Sequence, residues 1–259
     1  MNILERITKT KKAEIQAKKG LFSSSFLEQS TLFNRSTLSI SKALKKSSSG
    51  IIAEHKRRSP SKAVINQSHQ LLDVISAYQA NGATAISVLT DTNYFGGSLE
   101  DLFLAKSIAS VPLLRKDFVI DPYQITEAKA FGADFILLIA SILDKVQIQE
   151  FTAFAHKLNL EVLLEVHSLE ELEASYIEEI NVVGVNNRNL KTFEVDLNTS
   201  FDIAKALDPH KVKISESGLN DTQSIINLKK AGYNGFLIGE MLMKNNAPGI
   251  ALKQLIEHS

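Results

Sequence analysis

No cysteine occurs in the 259 residues, which excludes disulfides, thiolate metal sites and a cysteine nucleophile. Tryptophan is absent as well. No run of about 18 apolar residues exists, so no segment is expected to span a membrane. The N-terminal stretch MNILERITKTKKAEIQAKK has no apolar core of the signal-peptide kind, which points to a cytoplasmic protein. The histidines His55, His69, His156, His167, His210 and His258 form no HxH or HExxH spacing, and no metal is expected. There is no GxSxG elbow and no Walker loop. A glycine-rich dinucleotide loop is missing too, since the residues after the first apolar run read KRRSPSKA.

What is present is ordinary globular material, 44% hydrophobic and 22% charged. The net charge is zero but unevenly placed: residues 1–62 hold 14 Lys and Arg against 4 Asp and Glu, and the remainder 15 against 25. An arm that basic could bind nucleic acid or another polyanion. Its lysines, however, are spread along an amphipathic pattern, and the acidic body offers an internal partner. Nor does the basic stretch carry the interleaved aromatics of a single-strand platform. No nucleic-acid partner is expected.

Short apolar runs recur at regular intervals: IIAEH (51–55), AISVLT (85–90), PLLRKDF (112–118), FILLIA (135–140), EVLLEV (161–166), VVGVNN (182–187), VKISES (212–217) and GFLIGE (235–240). Between them the period turns helical. Leu71, Val74, Ile75 and Tyr78 fall on one stripe, glycines close the joints NGATA, FGADF and AGYNGF, and Asp121-Pro122 and Asn220-Asp221 read as helix starts. Eight such units predict an α/β fold, a (β/α)8 TIM barrel over residues 51–259, with an N-terminal helical extension over residues 1–50. The extension predicts a helix over ILERITKTKKAEI, then a loop with a short helix that caps the bottom or edge of the barrel.

In such a barrel the site lies at the C-terminal strand ends. There the strands carry Glu54 and Lys56 on one face, then Arg115, Lys116 and Asp117, then Glu165, Asn186 and Arg188, and Glu216 and Ser217. Two lysines, an arginine and at least two carboxylates at one mouth suit acid–base chemistry on an anionic substrate. Glu161 and Lys213 come early in their strands and read as rim residues. Gly218 and Gly239 follow the seventh and eighth runs, where this fold cradles phosphate on backbone N–H groups.

These residues carry a resemblance that runs nearly end to end. IIAEHKRRSPSK, LLRKDFVIDPYQI, EVLLEVHSLEEL, GVNNRNLKTFEVDL, ISESGLND and FLIGEMLMKNNAPGIAL together resemble the indole-3-glycerol phosphate synthase family of tryptophan biosynthesis. The resemblance implies closure of the indole ring of 1-(2-carboxyphenylamino)-1-deoxyribulose 5-phosphate, a small anionic sugar phosphate, with loss of carbon dioxide and water and no cofactor. It implies Lys116 as general acid toward the substrate ketone and Lys56 as the cation facing the substrate carboxylate. Glu165 would be the acid–base group of dehydration, and Glu54 a positioner of the lysines. Asn186, Arg188, Glu216 and Ser217 would line the substrate site. Ser59, Gly218, Gly239 and Glu240 would surround the phosphate. A neighbouring cation would lower the pKa of a catalytic lysine, whereas a neighbouring glutamate would keep it charged.

Two positions depart from the family pattern: Ala63 where glycine is usual, which points to a differently shaped first loop, and Gly96 where a larger residue is common. A related alternative, phosphoribosylanthranilate isomerase, normally uses a cysteine–aspartate pair, which this chain cannot supply. A monomer is expected, with a weak homodimer as the alternative.

Overall fold

Eight parallel strands close on themselves in the computed structural model, which describes residues 2–189 and 192–259. The strands are β1 (Ile51–His55), β2 (Ala85–Leu89), β3 (Leu113–Lys116), β4 (Phe135–Ile139), β5 (Glu161–Val166), β6 (Val182–Asn186), β7 (Lys213–Glu216) and β8 (Gly235–Ile238). Closure is visible in the register of β1, where Ile52 pairs with Ala85 of β2 and with Leu237 of β8. All eight expected runs are strands. Six end earlier than their apolar pattern suggested, because the polar residues at their ends already belong to the loops above the barrel.

Three helices precede the barrel: α1 (Ile3–Leu21), α2 (Ser24–Leu27) and α3 (Ile40–Lys46). The chain between and after the strands forms α4 (Leu71–Ala80), α5 (Thr92–Phe95), α6 (Leu99–Ile108) and α7 (Pro122–Ala130). It continues with α8 (Lys145–Lys157), α9 (Leu169–Ser175), α10 (Asn198–Ala206) and α11 (Thr222–Lys230). The last two helices are α12 (Glu240–Met243) and α13 (Pro248–Glu257). The buried stripe of α4 is Leu71, Val74, Ile75 and Tyr78, as its period predicts. Asp121 caps α7 with Pro122 in the first turn, and Asp221 caps α11.

Alternation along the strands splits the core into two layers. Ile52, Leu114, Leu163, Ile214 and Leu237 pack inside the barrel, while Ile51, Ile86, Leu138, Val183 and Phe236 meet the helices outside. Each such side chain contributes about 1.5–3 kcal/mol on burial.

The bottom is plugged by α3, whose Ile40 and Leu44 join the interior layer. The Glu161 carboxylate holds this plug by accepting from the Ser41 N–H at 2.8 Å and the Ser41 hydroxyl at 3.0 Å. The extension thus contains two short helices, α2 and α3, where one was expected. Lys213 is also corrected: it is buried rather than on the rim, with its amine end beside Gly232.

Arg115 does not reach the mouth. Its neighbours Leu114 and Lys116 point inward, so Arg115 points outward and is buried against α7. There it donates to Asp117 at 3.0 Å and Glu127 at 3.1 Å. Arg57 is not free surface charge either, since it forks onto Asp101 and donates to the Gly96 carbonyl.

Ala63 is not among the described residues with positive φ, so alanine meets no backbone strain in the first loop. Gly96 has φ +70° at the C-cap of α5, which accounts for glycine there.

Part of the basic arm's charge is met within the molecule. Lys11, Lys18, Lys19 and Arg35 pair with Asp117, Glu127, Asp121 and Asp134 of the barrel. Among the described residues no helix is long and apolar enough to cross a membrane.

Candidate active site

The strand ends and the loops above them enclose a cavity of about 350 Å³. All twelve residues to which the resemblance assigns a place in the site border it: Glu54, Lys56, Ser59 and Lys116, then Glu165, Asn186, Arg188 and Glu216, then Ser217, Gly218, Gly239 and Glu240. The motif GVNNRNLKTFEVDL crosses Leu190 and Lys191, which lie outside the described residues.

The centre of the cavity is a lysine among carboxylates. Lys116 Nζ lies 2.8 Å from Glu216 Oε2 and 3.3 Å from Glu165 Oε2. Asn186 donates its amide to the other Glu165 oxygen at 3.2 Å. Across the mouth, Lys56 Nζ pairs with Glu54 Oε1 at 2.9 Å, and Ser87 donates to Glu54 Oε2 at 3.1 Å. Asn186 in turn accepts from the Arg188 backbone N–H at 3.0 Å, which sets the course of the loop after β6.

The phosphate-type loops are shaped by close approach. Ser217 has φ +66° and Gly218 φ +76°, two consecutive left-handed residues at the end of β7. For serine this conformation is costly and must be held by its surroundings. Asn187 supplies the hold: its buried amide donates to the carbonyls of Glu216 at 3.0 Å and Ser217 at 3.2 Å. Gly239 has no positive φ, but a Cβ there would stand 2.7 Å from Glu54 Oε1, so only glycine leaves that carboxylate its place. Glu240 does not stand alone beside the phosphate loops, because it pairs with Lys62 at 3.4 Å and with Lys244 on the next turn.

Sequence reasoning missed three parts of this site. Ile3, Leu4 and Ile7 of α1 wall one side of the cavity. Asn187 alternates with Asn186 and Arg188 and does not share their face, and its side chain works through backbone carbonyls. Nothing in the sequence sets Lys11 apart from the other lysines of the amphipathic arm, yet it is only 1% exposed. It lies 3.1 Å from Asp91 and 3.0 Å from Asp117, and so fastens α1 to the ends of β2 and β3. The signal for it was Asp117, a second carboxylate at a strand end with no partner assigned in the sequence.

The indole-3-glycerol phosphate synthase family model matches residues 4–255. The chain belongs to that family. Among curated indole-3-glycerol phosphate synthases it is 45% identical to that of Bacteroides thetaiotaomicron, covering 99% of this chain and 98% of the relative. It is 41% identical to that of Magnetococcus marinus, over 99% of this chain and 98% of the relative. Among solved structures, a mutant tryptophan synthase α-subunit from Pyrococcus furiosus superposes with a TM-score of 0.59 at 17% identity, covering 81% of this chain and 96% of that one. At that identity the likeness concerns the barrel alone.

Within this synthase-family site, burial and neighbouring charge pull in opposite directions. Burial alone would lower the Lys116 pKa, but Glu216, Glu165 and Glu54 outweigh it and hold the pKa above the ordinary lysine range. Of the two sequence expectations, the glutamates therefore prevail, and Lys116 stays charged. Burial would raise Glu165, yet Lys116, His167 and Asn186 bring it below the usual carboxylate range. Glu216 goes the other way: burial, with Glu165 and Glu54 nearby, outweighs Lys116 and pushes it up to about 7.

The sign of the Glu216 shift gives a prediction. A carboxyl raised in the fold favours its neutral form, so its contribution to stability is full below its ordinary value and is lost as pH rises through about 7. Glu216→Gln removes that loss. Its Tm should gain on the wild type by several degrees between pH 5 and pH 8, read by thermal unfolding at the two pH values. A Tm difference that does not change with pH would show that Glu216 titrates normally. Among the described residues no group of three or more His, Asp or Glu side chains is arranged to hold a metal ion.

Proposed function

We propose that this chain is an indole-3-glycerol phosphate synthase that closes the indole ring of 1-(2-carboxyphenylamino)-1-deoxyribulose 5-phosphate with Lys116 as general acid. The observation that carries the reading is the position of Lys116, 2.8 Å from Glu216 and 3.3 Å from Glu165, in a cavity bordered by the Ser217–Gly218 turn and Gly239.

The aromatic ring carbon attacks the ketone carbon, and negative charge gathers on the carbonyl oxygen. Lys116 neutralises that charge and protonates the oxygen. The alkoxide being formed is more basic than an amine, so a lysine kept charged at neutral pH is a competent donor. Lys56 faces the substrate carboxylate, with Glu54 fixing its direction. Carbon dioxide then leaves, its bonding electrons neutralising the cationic ring system, so no cofactor is required.

Glu165, held ionised, takes and returns the proton in dehydration, while Glu216 shares the Lys116 ammonium. Asn186, Arg188 and Ser217 line the substrate, and Ser59, Gly218, Gly239 and Glu240 surround its phosphate. The wall supplied by Ile3, Leu4 and Ile7 suits an aromatic ring. Much of the remaining rate comes from folding a flexible sugar phosphate into a reactive pose.

The same reading takes the enzyme as a cytoplasmic monomer, with residues 1–50 as an extension of one barrel domain. The one-domain reading is supported by Ile3, Leu4 and Ile7 of the extension, which border the same cavity as the strand ends.

The test uses the absence of tryptophan. With the anthranilate-derived ribulose phosphate, indole fluorescence should rise over a tyrosine-only background. No rise, with the protein folded, sinks the assignment.

A further inference from the structure

His167 stands in the wall between two cavities. Glu165 faces the cavity already described. His167, Glu171 and Ser141 line a second one of about 950 Å³, between the N-terminal half of α1 and the loops after β4, β5 and β6. The imidazole spans that wall. Its Nε2 is 3.3 Å from Glu165 Oε1, and its Nδ1 is 3.1 Å from Glu171 Oε2.

His167 itself is fixed by the first turn of α9. Its backbone N–H donates to Glu171 Oε2 at 2.8 Å, and Ser168 caps the same turn by accepting from the Glu171 N–H. Ser141 donates to the other Glu171 oxygen at 2.7 Å and lies 3.3 Å from His167 Nδ1. The ring therefore has a carboxylate beside each nitrogen and is held by hydrogen bonds on its Nδ1 side.

We propose that His167 is a positioning residue for the reaction, a cationic bridge that fixes the Glu165 carboxylate and keeps it ionised by tying it to Glu171. The proposal rests on the reading of Glu165 as the acid–base group. The two oxygens of Glu165 are divided, with Oε2 facing Lys116 and Oε1 facing Asn186 and His167. Without His167, the only cation in contact with Glu165 among the described residues is Lys116, whose ammonium is shared with Glu216.

The distribution of cations around Glu165 agrees. Lys116 is divided between Glu165 and Glu216, and an imidazolium at His167 gives Glu165 a second positive neighbour. Burial would keep the imidazole neutral, but the Glu165 and Glu171 carboxylates beside it outweigh that and raise it to about 10. The charged groups that face His167 are Glu165 from β5 and Glu171 from α9, and the Ser141 hydroxyl faces it from the turn after β4.

The experiment compares kcat and KM across pH for the wild type, His167→Ala, His167→Gln, Glu171→Gln and Glu165→Gln, each checked for folding by Tm. His167→Ala should lower kcat about tenfold with KM within about twofold, because the substrate itself is not touched by His167. His167→Gln keeps a donor toward Glu165 but loses the charge. Its kcat should recover at alkaline pH, while the acidic limb of its profile moves up by about one unit, since loss of a nearby cation raises the Glu165 pKa. Glu171→Gln should move that limb in the same direction by less.

A His167→Gln profile that superimposes on the wild type overturns the proposal, as does a change confined to KM. If His167→Ala does not fold, His167→Gln and Glu171→Gln decide the matter. Glu165→Gln separates the two claims. Near-normal kcat in that variant overturns the reading of Glu165 itself, whereas an inactive Glu165→Gln beside unaltered His167 variants overturns only the bridge.

Discussion

Lys116→Ala is expected to lower kcat by about 10³-fold while substrate affinity changes only a few-fold. The argument is one of timing. In the free enzyme the Lys116 ammonium is already satisfied by Glu216 and Glu165, so the ketone oxygen of the bound substrate gains little from it. Only as ring closure places a full charge on that oxygen does the ammonium have a better partner than its carboxylates. An interaction that strengthens in the transition state appears in kcat rather than in KM.

Removal of the lysine also leaves Glu165 and Glu216 without their shared cation, so both carboxyls should take up protons at higher pH than before. Binding is measured by titrating a non-reacting substrate analogue, and turnover by indole fluorescence. A Lys116→Ala variant with near-normal kcat would contradict the general-acid role. One with normal kcat for the substrate it binds but a much raised KM would make Lys116 a binding residue only.

The largest effect on stability should come from a residue outside the cavity. Lys11→Met is expected to cost about 3–5 kcal/mol, the range for breaking a buried ion pair by removing one partner. Lys11 meets Asp91 at 3.1 Å and Asp117 at 3.0 Å in a region closed to water. Asp117 keeps Arg115 and the Thr90 hydroxyl, and Asp91 keeps the backbone N–H of Tyr94. The oxygen of Asp91 that faced Lys11 keeps nothing comparable, and a buried carboxylate there is uncompensated.

The pairing also holds α1 against the barrel, and α1 carries Ile3, Leu4 and Ile7 into the cavity wall. A rise in KM should therefore accompany the loss of stability. Denaturant midpoints give the energy. Pairing Lys11→Met with Asp91→Asn should recover part of it, since the double variant buries one fewer unpaired charge. A loss below about 1 kcal/mol would place the pair in the class of surface salt bridges.

The barrel was legible because its signals are local. Each strand is a short apolar run, each helix has its stripe, and the joints close on Gly82, Gly132 and Gly232 at φ +91°, +98° and +91°. The site was legible for a related reason. Once strands are parallel and closed, every polar residue at a C-terminal strand end is brought to one mouth, and Glu54, Lys116, Glu165 and Glu216 are such residues.

What stayed hidden depends on contacts distant in sequence. Arg115 and Lys116 are adjacent and both cationic, yet alternation sends one to α7 and the other to the cavity. Lys11 is separated from Asp117 by more than a hundred residues, and nothing in a string of lysines distinguishes the buried one. The direction of the Lys116 shift required knowing that three carboxylates, and not a second cation, surround it. Asn187 acts on the backbone of another strand, which no side-chain pattern records.

The most direct test is a crystal structure with indole-3-glycerol phosphate bound. The account predicts the indole ring system against Ile3, Leu4 and Ile7, with Lys116 and Glu165 at its reacted face. The phosphate should lie within hydrogen-bonding distance of the backbone N–H groups at Gly218 and Gly239. A phosphate bound elsewhere on the barrel, or an indole ring out of reach of Lys116, would contradict it.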